Sequence, residues 1–444
     1  MFRCFHGRSA GLLSVLILGA GPSAIAQPPD RGLQLEGLSF SGTYLSQGVP
    51  RGITTFNDVF LGSGISVLSA ASVKFTRIGT KSFLLVRALP TYGVLGDGKA
   101  RTWDHAFSLA YSRILGSKWT MNWSAAAQVM NFDEALFAQS NLAQIASNPI
   151  DFENLTGGIF NGKSSDPELN SIAQGAFHPD RGLQSFLLGR RTGTADLGGT
   201  LTYAYSPRFL LSAVAGSSLT RHLKESSDPA GVFYPKLNSM SVGMNATYSL
   251  SPRTQVGASA NVTRSELGLQ TLKTNAVSAF INRTMSRRWF VQASLGLGSD
   301  TYGHERHLNN RYSVGLGFKS FSHTALVAFD RGFDDPYDLA NAALKHARTL
   351  NGSWHYARPG SSWWATTSAT QLIAIYRDVP GTDSWDISQA VGRRISRNYS
   401  VVVQYTAGRV GAKRYIQDGR QYQLEQTGVR ASFIWSPEKH APVE

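Results

Sequence analysis

The sequence predicts an all-β fold, a transmembrane antiparallel up-and-down β-barrel of about 18 strands, and three observations support it. From about residue 33, the 444-residue chain runs in segments of roughly 10 to 13 residues whose side chains alternate between apolar and polar. Short connections between these segments alternate with long ones, and aromatic residues gather at the segment ends. Together these features are typical of barrels that cross a membrane.

The alternation is clearest over residues 239–250, where Met240, Val242 and Met244 are separated by serine and glycine. Segments 119–129 and 289–298 follow the same rule. Soluble strands average about five or six residues, whereas a tilted strand needs about 9 to 11 to cross a bilayer. The segment length therefore favours a membrane barrel over a soluble sandwich or propeller.

The short connections share a signature of turn-forming residues, a cation and an adjoining aromatic ring, as in Tyr205-Ser-Pro-Arg-Phe209. Eight segments carry the signature or a looser form of it: 77–81, 115–119, 205–209, 250–254, 285–289, 319–323, 357–361 and 395–399. From residue 206 onward they recur at the spacing of a hairpin plus one loop, which makes the chain an internal hairpin repeat.

Longer polar connections lie between the tight turns, and they predict the strand count. Nine are expected, near 46–59, 94–102, 131–193, 221–238, 265–271, 299–310, 332–347, 376–383 and 408–420. Eight turns plus nine loops give 17 connections and about 18 strands, with both ends on the same side, the short turns being periplasmic and the long loops outer. Weak strands, particularly the first over 33–45, leave 16 as the alternative.

The chain ends divide the sequence into three regions. Residues 1–26 have the layout of a signal peptide, with Arg3 and Arg8 before an apolar stretch and cleavage expected after Ala26. The barrel is expected over 27–435 and a tail over 436–444. The last strand ends on alternate apolar residues up to Trp435, which resembles the signal that barrel-assembly machinery reads. The expected location is the bacterial outer membrane.

Aromatic residues at the strand ends predict where the bilayer meets water, because amphipathic rings favour the headgroup level. The predicted membrane-interface aromatics are Trp119, Phe209, Trp289, Tyr399, Tyr111, Tyr205, Tyr248, Tyr356 and Trp435. The alternative is ordinary packing of aromatic rings in the core of a soluble sheet.

Charge and motif content exclude several functions. The net charge of +14 is dispersed without long runs, and an exported chain is not expected to bind nucleic acid. No Gly-x-Ser-x-Gly elbow is present, so we expect no enzyme and no catalytic residues.

His304 and His307 alone are a poor metal signature. We expect no metal site and no cofactor. An adhesive role and lipid hydrolysis remain alternatives without a positive motif.

With its turns placed, the chain resembles bacterial outer-membrane porins, and more narrowly the β-barrel porins of exopolysaccharide-export gene neighbourhoods. The resemblance covers about 33–435 and rests on the turns at Ser206, Ser251, Ser286 and Ser396. It implies a channel for small hydrophilic solutes, and the positive charge favours anionic ones. Outer-membrane lipid and lipopolysaccharide are expected partners, and the oligomeric state is open.

The alternative function is a conduit or accessory for polysaccharide export. It predicts aromatic platforms inside the barrel, and Trp364 and Phe290 share the phase of the polar residues.

By analogy with porins, loop 131–193 is a predicted constriction or plug, because it follows the fifth strand and is unusually long. Its acidic residues would face cations on the wall, creating a transverse field. The predicted constriction residues are Asp133, Glu134, Asp151, Glu153, Asp166, Glu168 and Asp180 in the loop, with Lys74, Arg87 and Arg311 on the wall. The alternative is an exposed outer loop that never enters the lumen.

Overall fold

The fold is described here from a computed structural model of the full chain. The residues it describes are 32–47, 64–95, 100–131, 191–223, 236–267, 270–302, 305–332, 337–338, 343–358, 360–376, 382–412 and 423–436. They form strands joined by turns. In this part of the chain, no helix combines the length and the apolar character required to span a bilayer.

Most strands are 13 to 16 residues long, β13 having 10 and β14 only 2. They are β1 Gly32–Gln47, β2 Gly64–Ile78, β3 Ser82–Leu95, β4 Ala100–Ile114, β5 Trp119–Asn131, β6 Arg191–Ser206, β7 Phe209–His222, β8 Leu237–Ser251, β9 Thr254–Leu267, β10 Gln270–Thr284, β11 Trp289–Tyr302, β12 Glu305–Lys319, β13 His323–Gly332, β14 Tyr337–Asp338, β15 Ala343–Ala357, β16 Trp363–Tyr376, β17 Thr382–Arg394, β18 Tyr399–Ala412 and β19 Gln423–Trp435.

The strands form one closed antiparallel sheet. Each strand pairs with its neighbour in sequence, except that β13 pairs with β15 while the short β14 pairs only with β15. The sheet closes between β1 and β19, with Leu38 opposite Trp435 and Gln47 opposite Gln426. Without β14, 19 strands less one leave 18 in the wall. The predicted up-and-down barrel is confirmed, with 18 strands rather than 16, because the first strand pairs with β2 over Gly32–Leu45 and with β19 over Leu38–Gln47.

The outer connections differ from the prediction. Long loops were expected over 265–271 and 299–310, but β9 runs to Leu267, β10 begins at Gln270, β11 runs to Tyr302 and β12 begins at Glu305. Only two residues separate each pair of strands. Beyond the apolar band both faces of a strand carry polar residues, so the alternation that marks a membrane strand is lost although the ladder hydrogen bonds continue.

The serine of the turn signature has a structural role. Its hydroxyl oxygen accepts hydrogen bonds from the backbone N–H groups two or three residues later, as Ser206 Oγ does from Arg208 at 3.3 Å and from Phe209 at 3.1 Å. Ser286 Oγ accepts from Arg288 and Trp289, both at 3.2 Å. These bonds form the local side-chain turn that serine favours. The recurring signature therefore encodes the tight end of each hairpin.

The two faces of the sheet differ in chemistry. On β8, Met240, Val242 and Met244 point outward and are 57%, 63% and 66% exposed. On β11, Leu295 and Leu297 do the same at 68% and 67%. Apolar residues exposed this regularly over successive strands require an apolar surrounding. The outer wall is therefore an apolar band, and the opposite side chains face the lumen.

Candidate functional site

The lumen wall is lined in large part by small hydroxyl side chains. Serines on neighbouring strands bond to each other across the ladder, with Oγ–Oγ distances of 2.6 Å between Ser259 and Ser278 and 2.6 Å between Ser294 and Ser313. Thr202 and Ser212 make a similar contact at 3.0 Å. Such side chains are short and polar, so they present hydrogen-bonding groups to water without filling the barrel.

A charged cluster lies on the lumen wall formed by β1, β2 and β3. Arg87 donates from Nε to Glu36 Oε2 at 2.7 Å and from Nη2 to Oε1 at 3.0 Å, which is a bidentate pair. Lys74 Nζ lies 3.8 Å from the same carboxylate. Ser72 Oγ donates to Oε2 at 2.8 Å. The cluster brings two cations to one carboxylate and keeps a net charge of +1.

A β-bulge positions Glu36. The register of β1 against β2 pairs Leu35 with Val73 and Gly37 with Ser72, so Glu36 is the extra residue. A bulge of this kind lets two successive residues oppose one partner and redirects a side chain. The carboxylate therefore projects into the lumen between Ser72 and Lys74. Glu36 could not be predicted from the sequence, because an inserted residue breaks the alternation of apolar and polar side chains.

Arg311 is separate from this cluster. It lies on β12 opposite Gly296 of β11, and in the order of 18 wall strands β11 and β12 lie across the barrel from β1–β3. The same wall carries Asp300, which is 1% exposed and accepts a 2.7 Å hydrogen bond from Asn309 Nδ2. Of the three wall cations proposed from sequence, Lys74 and Arg87 come together and Arg311 stands apart.

The described lumen carries charges of both signs. By strand phase, its carboxylates are Glu36, Asp104, Asp196, Asp300, Asp330 and Asp386, and its Lys and Arg residues are Lys74, Arg87, Arg311, Lys319, Arg394 and Arg430. Arg430 is 4% exposed, and its Nε donates to Thr43 Oγ1 at 3.1 Å across the closing seam. The strongly positive charge of the whole chain is therefore not concentrated on this part of the lumen wall.

Three lumen aromatics lie against glycine on the adjacent strand. Phe280 covers Gly257, Phe290 covers Gly317 and Trp364 covers Gly392, and a Cβ at any of these glycines would overlap the ring. Trp364 is 7% exposed and packs with Ala390 and Val402. At this exposure Trp364 offers little surface on which a sugar could stack, whereas Phe290 is half-buried. Trp364 is thus part of an apolar patch near the tight turns rather than the exposed platform that was expected.

The acidic residues expected to line a constriction fall outside the described part of the chain. Asp133, Glu134, Asp151, Glu153, Asp166, Glu168 and Asp180 all lie within 132–190. The idea that loop 131–193 enters the lumen therefore remains a prediction.

The nine predicted interface aromatics all lie on the outward phase at the tight-turn end of their strands. Several contact an outward ring of the next strand, with centroid separations of 4.6 Å for Trp119 with Tyr203 and 5.3 Å for Tyr399 with Phe433. Trp289 and Phe318 are 4.8 Å apart. These rings are placed as a girdle would require, and their contact with lipid headgroups remains a prediction.

Among the described residues, no group of three or more His, Cys, Asp or Glu side chains is arranged to hold a metal ion.

These observations define the class of the protein as a closed antiparallel β-barrel with an apolar outer wall and a polar lumen. No protein-family model matches the chain, and no curated protein matches it. Solved structures similar to it come from Pseudomonas aeruginosa. OccK2 (OpdF) is 12% identical with a TM-score of 0.44, covering 92% of this chain and 100% of that one.

OpdQ is 8% identical with a TM-score of 0.43, covering 90% and 97% of the two chains. The outer membrane protein OpdK is 12% identical with a TM-score of 0.41, covering 91% and 98%. Similarity at this level carries no argument about function.

Proposed function

We propose that the chain forms a water-filled channel for small hydrophilic solutes across the bacterial outer membrane. The observation that carries this proposal is the contrast between the two faces of one closed sheet. Outward residues such as Met244 and Leu295 are apolar and exposed, whereas lumen residues such as Ser259 and Ser294 are small and polar. A closed sheet leaves no unpaired edge in hydrocarbon, which is the requirement for spanning a bilayer with strands.

The dimensions support the same proposal. Apart from the 10-residue β13, the wall strands have 13 to 16 residues, more than the roughly 9 to 11 that a tilted strand needs to cross the hydrocarbon core. Barrels of about 16 to 18 strands leave an aqueous passage unless a plug fills it. A soluble protein of this topology would expose its apolar band to water at a large cost.

The route to the membrane is part of the proposal. The expected signal peptide over 1–26 exports the chain, the final strand ending at Trp435 is recognised by barrel-assembly machinery, and the outward aromatic rings settle at the headgroup level. Its surroundings are then outer-membrane lipid and lipopolysaccharide.

Charge selectivity is expected to be weak. The described lumen combines carboxylates and cations on both walls, and Glu36 compensates Arg87 locally. Fields of opposite sign at short separation favour neither cations nor anions over the whole passage. We expect organic anions and neutral sugars of equal size to pass at comparable rates.

Liposome swelling with sugars and organic anions of graded size tests this function. Proteoliposomes should swell at rates that fall with solute size, while protein-free vesicles and vesicles with heat-denatured protein should not swell. Absence of swelling even with the smallest sugars would refute the channel.

We further propose that loop 131–193 narrows the passage. Deleting 140–185 should raise single-channel conductance, because the loop would no longer occupy part of the lumen. A deletion variant that still forms a barrel and conducts like the wild type would show that the loop lies outside the lumen.

A further inference from the structure

Three cations form a row on the outer wall, near the ends of the strands that carry the long connections. Arg264 on β9 lies directly opposite Lys273 on β10, which lies opposite Thr301 on β11. Thr301 in turn lies opposite Arg306 on β12. All three cations are exposed.

Two further cations lie on the outer wall of the neighbouring strands β13 and β15. Arg331 on β13 lies directly opposite Arg348 on β15. Both share the outward phase of their strands, since Val327 and Leu350 are 53% and 45% exposed. We call the following five residues the outer-rim cations: Arg264, Lys273, Arg306, Arg331 and Arg348.

The outer-rim cations lie where the apolar band ends. Along β9, Arg264 comes two residues beyond Val262, which is 53% exposed. Along β12, Arg306 comes two residues beyond Leu308, which is 78% exposed. On a strand, residues two apart share a face, so each cation extends the apolar stripe by one position toward the outer end. This is the level of the lipid headgroups.

The arrangement brings like charges together. Directly opposite residues of an antiparallel pair have Cβ atoms about 4.5 to 5.5 Å apart, and like charges there are destabilising. Arg264 opposite Lys273 and Arg331 opposite Arg348 are two such pairs. A bound anion would convert each repulsive pair into a binding site.

Among the described residues, a carboxylate pairs with only one of these five cations. Arg264 Nη2 pairs with Glu266 Oε1 at 2.7 Å, Arg306 Nε donates to Ser299 Oγ at 2.8 Å, and Arg331 lies 5.6 Å from the Tyr312 ring centroid. Among the outward side chains described on β9 to β15, Glu266 is the carboxylate present at this rim. Five cations therefore face one carboxylate.

We propose that the outer-rim cations bind the phosphate groups of an anionic lipid in the outer leaflet. The inference rests on the outer-membrane location in the proposed function. Guanidinium groups bind phosphate oxygens in a bidentate manner, and lysine contributes a point charge. Solutes inside the channel do not meet these side chains, because they point away from the lumen. A phosphorylated lipid packed against the apolar band would place its headgroup at this level.

Binding of bisphosphorylated lipid A to the detergent-solubilised full chain tests the proposal. The variant Lys273→Gln/Arg348→Gln removes one cation from each pair. The matched control Arg113→Gln/Arg283→Gln also removes two outward, exposed cations, but at the tight-turn end of the strands. Heat-modifiable migration and single-channel conductance confirm that each variant forms the barrel.

We expect the rim variant to bind lipid A about tenfold more weakly than the wild type, with the control within about twofold. The dephosphorylated lipid should bind the wild type as weakly as lipid A binds the rim variant. An equal loss of lipid A binding in the rim variant and the control would overturn the proposal. It would also be overturned if inorganic phosphate displaced lipid A at the concentrations at which lipid A itself binds. We expect the rim variant to conduct like the wild type, so its loss of lipid A binding is independent of the channel function. The proposed channel function fails only if the wild type does not conduct.

Discussion

At the residue scale, the lumen cluster shows how one inserted position creates a charged site. Lys74 and Arg87 lie directly opposite each other on β2 and β3, an arrangement of like charges that is unfavourable alone. The bulge at Glu36 supplies the carboxylate that accepts from Arg87 and attracts Lys74. The phase of the strands was sufficient to predict that Lys74 faces the lumen. The phase could not predict the partner, because the bulge breaks the alternation at that residue.

Replacing Glu36 with glutamine should shift ion selectivity toward anions. The change keeps the shape of the side chain but leaves the charges of Arg87 and Lys74 uncompensated on the lumen wall. We expect the chloride-to-potassium permeability ratio to rise by at least about twofold, as measured from the reversal potential under a KCl gradient.

The matched control is Glu266→Gln, which removes the same charge from the outward face. It should leave the reversal potential unchanged. An equal shift in both variants would mean that overall charge, rather than the lumen cluster, sets selectivity.

Also at the residue scale, Gly392 is required by its contact with Trp364. Adding a Cβ would force the ring away from the wall and open its packing with Ala390 and Val402. Overpacking of this kind costs about 1 to 3 kcal/mol, so Gly392→Ala should lower the urea midpoint of unfolding in lipid vesicles. Gly352→Ala is the control, since a Cβ there meets only Ala369 O at 4.0 Å. Equal stability of the two variants would contradict the packing argument.

At the element scale, the tight turns were predicted more completely than any other feature. All eight signatures coincide with connections between consecutive wall strands. The reason is physical: each turn contains its own hydrogen bonds, such as those to Ser206 and Ser286, so its sequence determines its structure locally. The outer ends were predicted less well, because there the strands continue without an apolar face to mark them.

Loss of a turn serine should weaken its hairpin measurably. Ser286→Ala removes the acceptor for the N–H groups of Arg288 and Trp289, and a hydrogen bond contributes about 0.5 to 1.5 kcal/mol. We expect faster amide hydrogen exchange at these two residues and a small decrease in the free energy of unfolding. Ser117→Ala, in a turn of the same length, lacks this pair of bonds in the described structure and should have a smaller effect. If amide hydrogen exchange in the turn increases equally in both variants, the hydrogen bonds to Ser286 do not stabilise its hairpin.

At the scale of the whole molecule, closure of the sheet separates an outer face from a lumen face. Eighteen strands joined by alternating turns and loops bring β1 beside β19, with ten residues of each in register. The even strand count could be predicted from the connections alone. The contacts of lumen aromatic rings with glycine and the row of outer-rim cations could not be predicted from the connections, because each depends on the register between neighbouring strands.

The central claim is that this closed wall surrounds water. The most direct measurement is single-channel conductance of the purified chain in a planar lipid bilayer. We predict discrete current steps whose size rises in proportion to the KCl concentration, as expected for an aqueous passage through a barrel of this width. Protein that inserts as a folded barrel yet gives no current steps at any voltage or salt concentration would contradict it.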